Sequence, residues 1–169
     1  MATIDATELG AFAKQYAELR GQDLEKTSRG FFINLSTNII LGTPVGNPDL
    51  WLYNHPQRGF IDFLSFKEAP AGYVGGRLRN NWFTTINRPS SESTKKSDND
   101  ASDRIDMLSD VSRNKKIGDD IYLTNNLPYI RRVEYEGWSS QATGGMVRIN
   151  LAKAEKALKE AVNNLNKGA

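Results

Sequence analysis

The hydrophobic positions of this chain fall into blocks of helical period, separated by polar and turn-forming stretches. Leu9, Phe12, Ala13, Tyr16 and Leu19 recur at three- and four-residue steps, and Leu24, Thr27, Phe31, Leu35 and Ile39 continue the stripe, with Phe32 and Ile40 widening it. Asp5-Ala6-Thr7-Glu8 has the form of a capping box at the start of this pattern. Gly21 marks a break or bend, and Gly42 followed by Pro44 stops the pattern. The spacing predicts a long helix, or two in succession, over residues 6–41. At the other end Val147, Leu151, Ala154, Leu158, Ala161, Val162 and Leu165 lie on one stripe, which predicts an amphipathic helix over 146–166.

Between these helices the period shortens. Trp82, Thr84 and Ile86 alternate with Phe83 and Thr85, which predicts a strand over 82–87 after a turn beginning near Leu78. Ile121, Tyr122 and Leu123 predict a second strand over 120–124. Ile105, Leu108 and Val111 predict a short helix over about 103–113, and Asn125-Asn126-Leu127-Pro128 opens another, with proline in its first turn, that runs to Gly137. Residues 88–103 are almost all polar and bury too little to offset the entropy of ordering, so a mobile loop is expected there. Residues 47–71 are rich in proline and aromatic side chains, including Trp51, Phe60 and Phe63. They read as an inserted, ordered loop that either forms a satellite core or contacts a partner. The fold class expected is α+β, a small antiparallel sheet packed by long N-terminal and C-terminal helices, in a single domain spanning 1–169.

Composition narrows the function classes. Hydrophobic residues make up 38% of the 169, which is low and fits long polar loops or a surface completed by partners. A net charge of +2 argues against a dedicated nucleic-acid binder, though not against a local basic patch. With no cysteine and one histidine, His55, neither thiol chemistry nor a Cys or His-rich metal site is available. No apolar run approaches the roughly 18 residues of a membrane helix, and a soluble protein made in the cytoplasm without export is expected.

Candidate chemistry is thin. Gly72-x-x-Gly75-Gly76 lacks both the ending and the context of a phosphate loop, and reads as glycine used for a tight turn. Arg77 and Arg79 would share one face of an extended chain. There they would meet phosphate, a neighbouring subunit's carboxylates, or an ordinary intrachain partner. Asp106, Asp110, Asp119 and Asp120 have no ligand spacing, and Asp119-Asp120 after Gly118 reads as a turn. Arg131 and Arg132 sit beside Tyr129 and Tyr135, but Glu134 and Glu136 offset their charge along the sequence, and the arginines read as the polar side of a short helix with Tyr129 and Val133 buried. No catalytic residue, cofactor site or metal site is assigned, and no enzymatic activity is expected.

Four stretches taken in order carry a resemblance. Thr43-Pro44-Val45-Gly46 is followed by Gly76-Arg77-Leu78-Arg79-Asn80-Asn81-Trp82, then Asn125-x-Leu127-Pro128-Tyr129, then Glu136-Gly137-Trp138-Ser139-x-Gln141-Ala142-x-x-Gly145-Met146-Val147. With a long helix before and after, this order resembles the head–tail joining, or tail-completion, proteins of tailed bacteriophages. The insertion at residues 47–71 departs from the family pattern, and Thr143 stands where proline is usual. The resemblance implies a structural virion protein, made in the host cytoplasm and located in the virion neck or upper tail. It would form a homo-oligomeric ring, six- or twelve-fold, against adjacent neck, tail terminator and tail tube proteins. DNA would pass the channel without specific binding, and no membrane would be involved. A tail terminator ring capping the tube is the near alternative, and a nucleic-acid-binding module using Arg77, Arg79, Arg131 and Arg132 is the alternative of another class. On this reading Arg77, Arg79, Trp51, Phe60, Phe63, Arg131 and Arg132 are the expected subunit-interface residues, and Trp82, Tyr129, Leu151 and Leu158 the expected core anchors.

Overall fold

A computed structural model describes residues 24–47, 73–116 and 118–167, together with Lys14, Gln15 and Glu18. The inserted segment around Trp51, Phe60 and Phe63 lies outside the described residues. In chain order the elements are helix α1 (Leu24–Leu41), a single 3-10 turn (Arg79–Asn81), strand β1 (Phe83–Ile86), helix α2 (Ser102–Asn114), strand β2 (Ile121–Thr124), helix α3 (Ile130–Tyr135) and helix α4 (Val147–Lys167). The fold is α+β, as the hydrophobic pattern predicts.

β1 and β2 form a two-stranded antiparallel sheet with Phe83 opposite Thr124 and Ile86 opposite Ile121. The strand pair is closed at one end by Asn87, whose amide nitrogen donates to Asp119 (2.8 Å) and whose side-chain oxygen accepts from the Asp120 N–H (2.9 Å). This bears out the turn reading of Asp119-Asp120. Among the described residues neither strand has a further strand on its outer edge.

The sequence places the terminal helices over the sheet, and the layering is finer than that. α2 packs directly on β1, α1 packs on α2, and α4 packs on α1. The reason is visible in burial. Leu108 and Ser112 of α2 are fully buried, and Arg104 lays its guanidinium over the Phe83 ring at 4.4 Å, covering the sheet beside Trp82. α1 buries Ser36, Ile39 and Ile40, with Phe32 and Leu35 packed against the same cluster. The buried stripe is thus centred about one position away from the predicted Thr27–Phe31–Leu35–Ile39 line. α1 ends as the glycine and proline predict, with the Gly42 N–H donating to Asn38 O (2.9 Å).

Trp82 is a core anchor as expected, 5% exposed, and Tyr129 packs half-buried against the same cluster. Leu151 and Leu158 are half-buried and lie outside the buried cluster, which α4 enters through Met146 and Val147 at its start. Among the described residues, α4 is anchored at its N-terminal end more than along its length.

Residues 88–101 have no regular secondary structure, yet they are not loose. The Asn126 amide donates to Ser90 O (2.8 Å) and Glu92 O (3.0 Å). The Asn81 side chain pairs with both backbone groups of Thr94, donating to its O (3.0 Å) and accepting from its N–H (2.8 Å). Asn80 donates to Lys96 O (3.2 Å) and accepts from Arg104 Nε (2.9 Å). Low apolar content points to mobility at 88–103. The ties come from asparagine side chains that neighbour the segment only in space.

The segment ends in a turn built on Asp98, just before α2. Asp98 Oδ1 accepts from the N–H groups of Asp100 and Ala101, both at 3.0 Å, and Oδ2 accepts from Ser102 Oγ at 3.3 Å. Ala101, at φ 56°, is fully buried. Burial alone would raise the Asp98 carboxyl, but the hydrogen bonds from Asp100, Ala101, Ser102 and Asp103 together outweigh it and hold the group below its ordinary value. A carboxyl lowered in the folded state contributes stability that is complete above its unfolded pKa of about 4 and is lost as pH falls through the folded value. Thermal unfolding followed between pH 6 and pH 2 is therefore expected to show a falling midpoint below about pH 4, with a shallower fall in Asp98→Asn.

Candidate functional site

The four motif stretches, spread along the chain from Thr43 to Val147, meet at one junction. Its first part is the exit of α1. Thr43 is fully buried, and its hydroxyl donates to Ile39 O (2.8 Å) while accepting from the Trp82 indole N–H (2.8 Å). The Thr43 carbonyl takes two donors from Arg79, Nε at 3.1 Å and Nη2 at 2.8 Å. Arg79 Nη2 also donates to Leu41 O at 2.8 Å, and Nη1 donates to Asn99 O. The planar fork of arginine satisfies carbonyls at the end of a helix in a way no other side chain can. Burial pulls its guanidinium pKa down, against the opposing pull of Asp100 and Asp98.

This corrects the sequence reading of Arg79 as a residue facing a neighbouring subunit. The chain at 77–81 is a turn and a 3-10 turn, not a strand, so Arg77 and Arg79 do not share an extended face. Arg79 is consumed inside the chain. Arg77 is exposed, with Nε donating to Thr94 O at 3.3 Å.

The glycines explain how closely these segments approach. A Cβ on Gly75 would stand 2.0 Å from Gly46 O, and one on Gly46 would stand 2.0 Å from the Tyr73 hydroxyl. Gly76 adopts φ +94° against Asp98 and Asn99. Gly75 and Gly76 are positions that only glycine fills, which is the backbone reading of that pair and not a phosphate cradle. The third and fourth stretches close the junction. Asn125 Nδ2 donates to Leu78 O at 3.0 Å. Gln141 pairs with both backbone groups of Val45, donating to its O at 2.9 Å and accepting from its N–H at 3.2 Å.

A buried carboxylate between the third and fourth stretches was not legible as such. Glu134 is 2% exposed, and its carboxylate accepts from the N–H groups of Met146 (2.7 Å), Val147 (3.0 Å) and Arg148 (3.0 Å). It therefore caps α4 from another helix, where the orphan donors of the first turn and the helix dipole both favour negative charge. Arg148 Nε lies 3.4 Å from the same carboxylate, and its Nη2 donates to the Glu134 carbonyl. Gly145, at φ +84°, passes so close that a Cβ would stand 2.5 Å from Glu134 O.

No family model, curated protein or solved structure matches this chain. The reading of the junction therefore rests on its own geometry. Among the described residues no group of three or more His, Asp or Glu side chains converges as a metal site, and no helix is long and apolar enough to cross a membrane. The polar side chains at the junction are engaged with backbone groups. Their chemistry is to hold four chain segments at fixed spacing.

Turning Glu134 inward changes the surface of α3. Its charge no longer offsets Arg131 and Arg132, which are both exposed. Arg132 stacks on Trp138 at 5.3 Å and Arg148 on Tyr135 at 5.0 Å, leaving Tyr135 48% exposed between arginines. The offset of charge inferred along the sequence is thus corrected by the fold.

Proposed function

We propose that this chain is a structural virion protein of a tailed bacteriophage, one subunit of a ring in the neck or upper tail that joins the head connector to the tail tube around the DNA channel. The observation that carries the reading is the meeting of the four motif stretches at one junction through Thr43, Arg79, Asn125 and Gln141. Short matches that were accidental would have no reason to touch. Stretches that brace one another form a unit of fold, so the resemblance rests on a connected framework. Two further features fit assembly. Among the described residues the small sheet has no further strand on its outer edges, and oligomers cover such edges. The net charge of +2 suits a wall past which DNA moves without being gripped.

The test is particle mass together with virion composition. Sedimentation of the purified chain is expected to show a closed oligomer at high concentration, and mass spectrometry of purified virions is expected to recover the chain at a fixed copy number. A chain that stays monomeric and is also absent from virions overturns the reading. A terminator ring and a joining ring are then separated by which proteins cross-link to the chain within the particle.

A further inference from the structure

Two exposed faces of opposite charge lie on different elements of this fold. Asp103, Asp106 and Asp110 recur at steps of three and four along α2 and share one exposed face. Asp103 pairs with Lys96 and Asp110 with Arg113, both between exposed side chains that contribute little stability. Asp106 has no partner among the described residues. The second face is the outer side of α3, where Arg131 and Arg132 flank the exposed Tyr135. Arg131 likewise has no partner among the described residues. Because Glu134 is turned inward, the acid left exposed there is Glu136, at the C-terminal cap of α3. Among the described residues, no ion pair joins the two faces within the chain.

We propose that copies of this chain dock head to tail, the acidic row of α2 on one copy seating against the arginine–tyrosine face of α3 on the next. Arginine and tyrosine are the residue types that carry binding energy at protein interfaces. The acidic row supplies the complementary potential that fixes partner and register. Two different faces that complement each other make a heterologous contact, the kind that closes into a ring when the rotation allows. Duplex DNA fits the α3 face less well, since Arg132 is stacked on Trp138, Arg148 is already engaged by Glu134 and Glu136 lies exposed beside them. The proposal rests on the ring reading and names the contact that would build the ring.

The test uses Asp106→Arg and Arg131→Asp in the full chain, both at exposed positions, with thermal unfolding to confirm that each variant folds. Each alone is expected to self-associate at least about tenfold more weakly than wild type in sedimentation, since like charges then face each other. An equimolar mixture is expected to regain association. The introduced arginine of one variant meets the introduced aspartate of the other, and the native pair meets at the next junction. Variants that associate like wild type, or a mixture that does not recover, overturn this contact while leaving the ring intact. A wild-type chain that stays monomeric at every concentration also overturns it, and the ring reading falls with it only if the chain is missing from virions. If Arg131→Asp weakens salt-sensitive binding of a duplex oligonucleotide while Asp106→Arg leaves self-association unchanged, the face serves nucleic acid and the proposal fails.

Discussion

Replacing Glu134 with alanine is expected to destabilise the protein by about 2–5 kcal/mol, at about 1–3 kcal/mol for each buried N–H left without its charged acceptor. The loss has two sources. The N–H groups of Met146, Val147 and Arg148 lose their acceptor, and Met146 and Val147 are themselves buried, so water does not readily replace it. The cavity left beside Gly145 adds a packing term. For a chain of this length the midpoint of thermal unfolding should fall by roughly 10 °C. Glu134→Gln keeps the shape but turns one acceptor into a donor against the helix N-terminus, and should recover only part of the loss. Because α4 enters the core through Met146 and Val147, amide hydrogen exchange along α4 should accelerate more than in β1. Uniform exchange throughout the chain, with an unchanged midpoint, would show that Glu134 is not the anchor of α4.

Deleting residues 90–97 is expected to abolish cooperative unfolding. The segment supplies the backbone partners of Asn80 and Asn81, both fully buried, and of Asn126. The two buried amides each lose partners at about 1–3 kcal/mol, together a large share of the stability of a typical domain, and the Asn126 ties go with them. Asn81→Ala alone should cost about 2–3 kcal/mol, because the Arg77 and Thr94 carbonyls and the Thr94 N–H all lose their partner. Urea unfolding followed by tryptophan fluorescence reads both effects, since Trp82 adjoins Asn81 in the core. A deletion variant that keeps the wild-type midpoint would mean that these ties contribute nothing and that the segment moves freely. Disrupted assembly with an intact monomer would place its role at an interface.

The sequence by itself determined the elements and their order. Helices α1, α2 and α4 and strands β1 and β2 were legible because apolar residues recur at three to four or at two positions, and these periods follow from backbone geometry alone. Trp82 was legible as an anchor because a large aromatic residue on an alternating stretch has few other uses. The glycine pair at 75–76 was legible as backbone chemistry, because no charged ending accompanies it.

What only the tertiary structure decided was the partner of each polar side chain. Arg79 and Arg77 look equivalent in the sequence, yet one is spent on the carbonyls of Leu41 and Thr43 and the other is exposed. Glu134 and Glu136 look like a local offset to two arginines, yet one is buried beneath α4 and the other faces solvent. The polar run at 88–101 looks unable to order itself, and its ties come from Asn80, Asn81 and Asn126. The physical reason is common to all three. Burial of apolar area is periodic and local enough to print itself on the chain, whereas a hydrogen bond depends on which backbone group arrives within about 3 Å, often from far along the chain. The charge that reaches the surface of α3 is therefore a property of the fold.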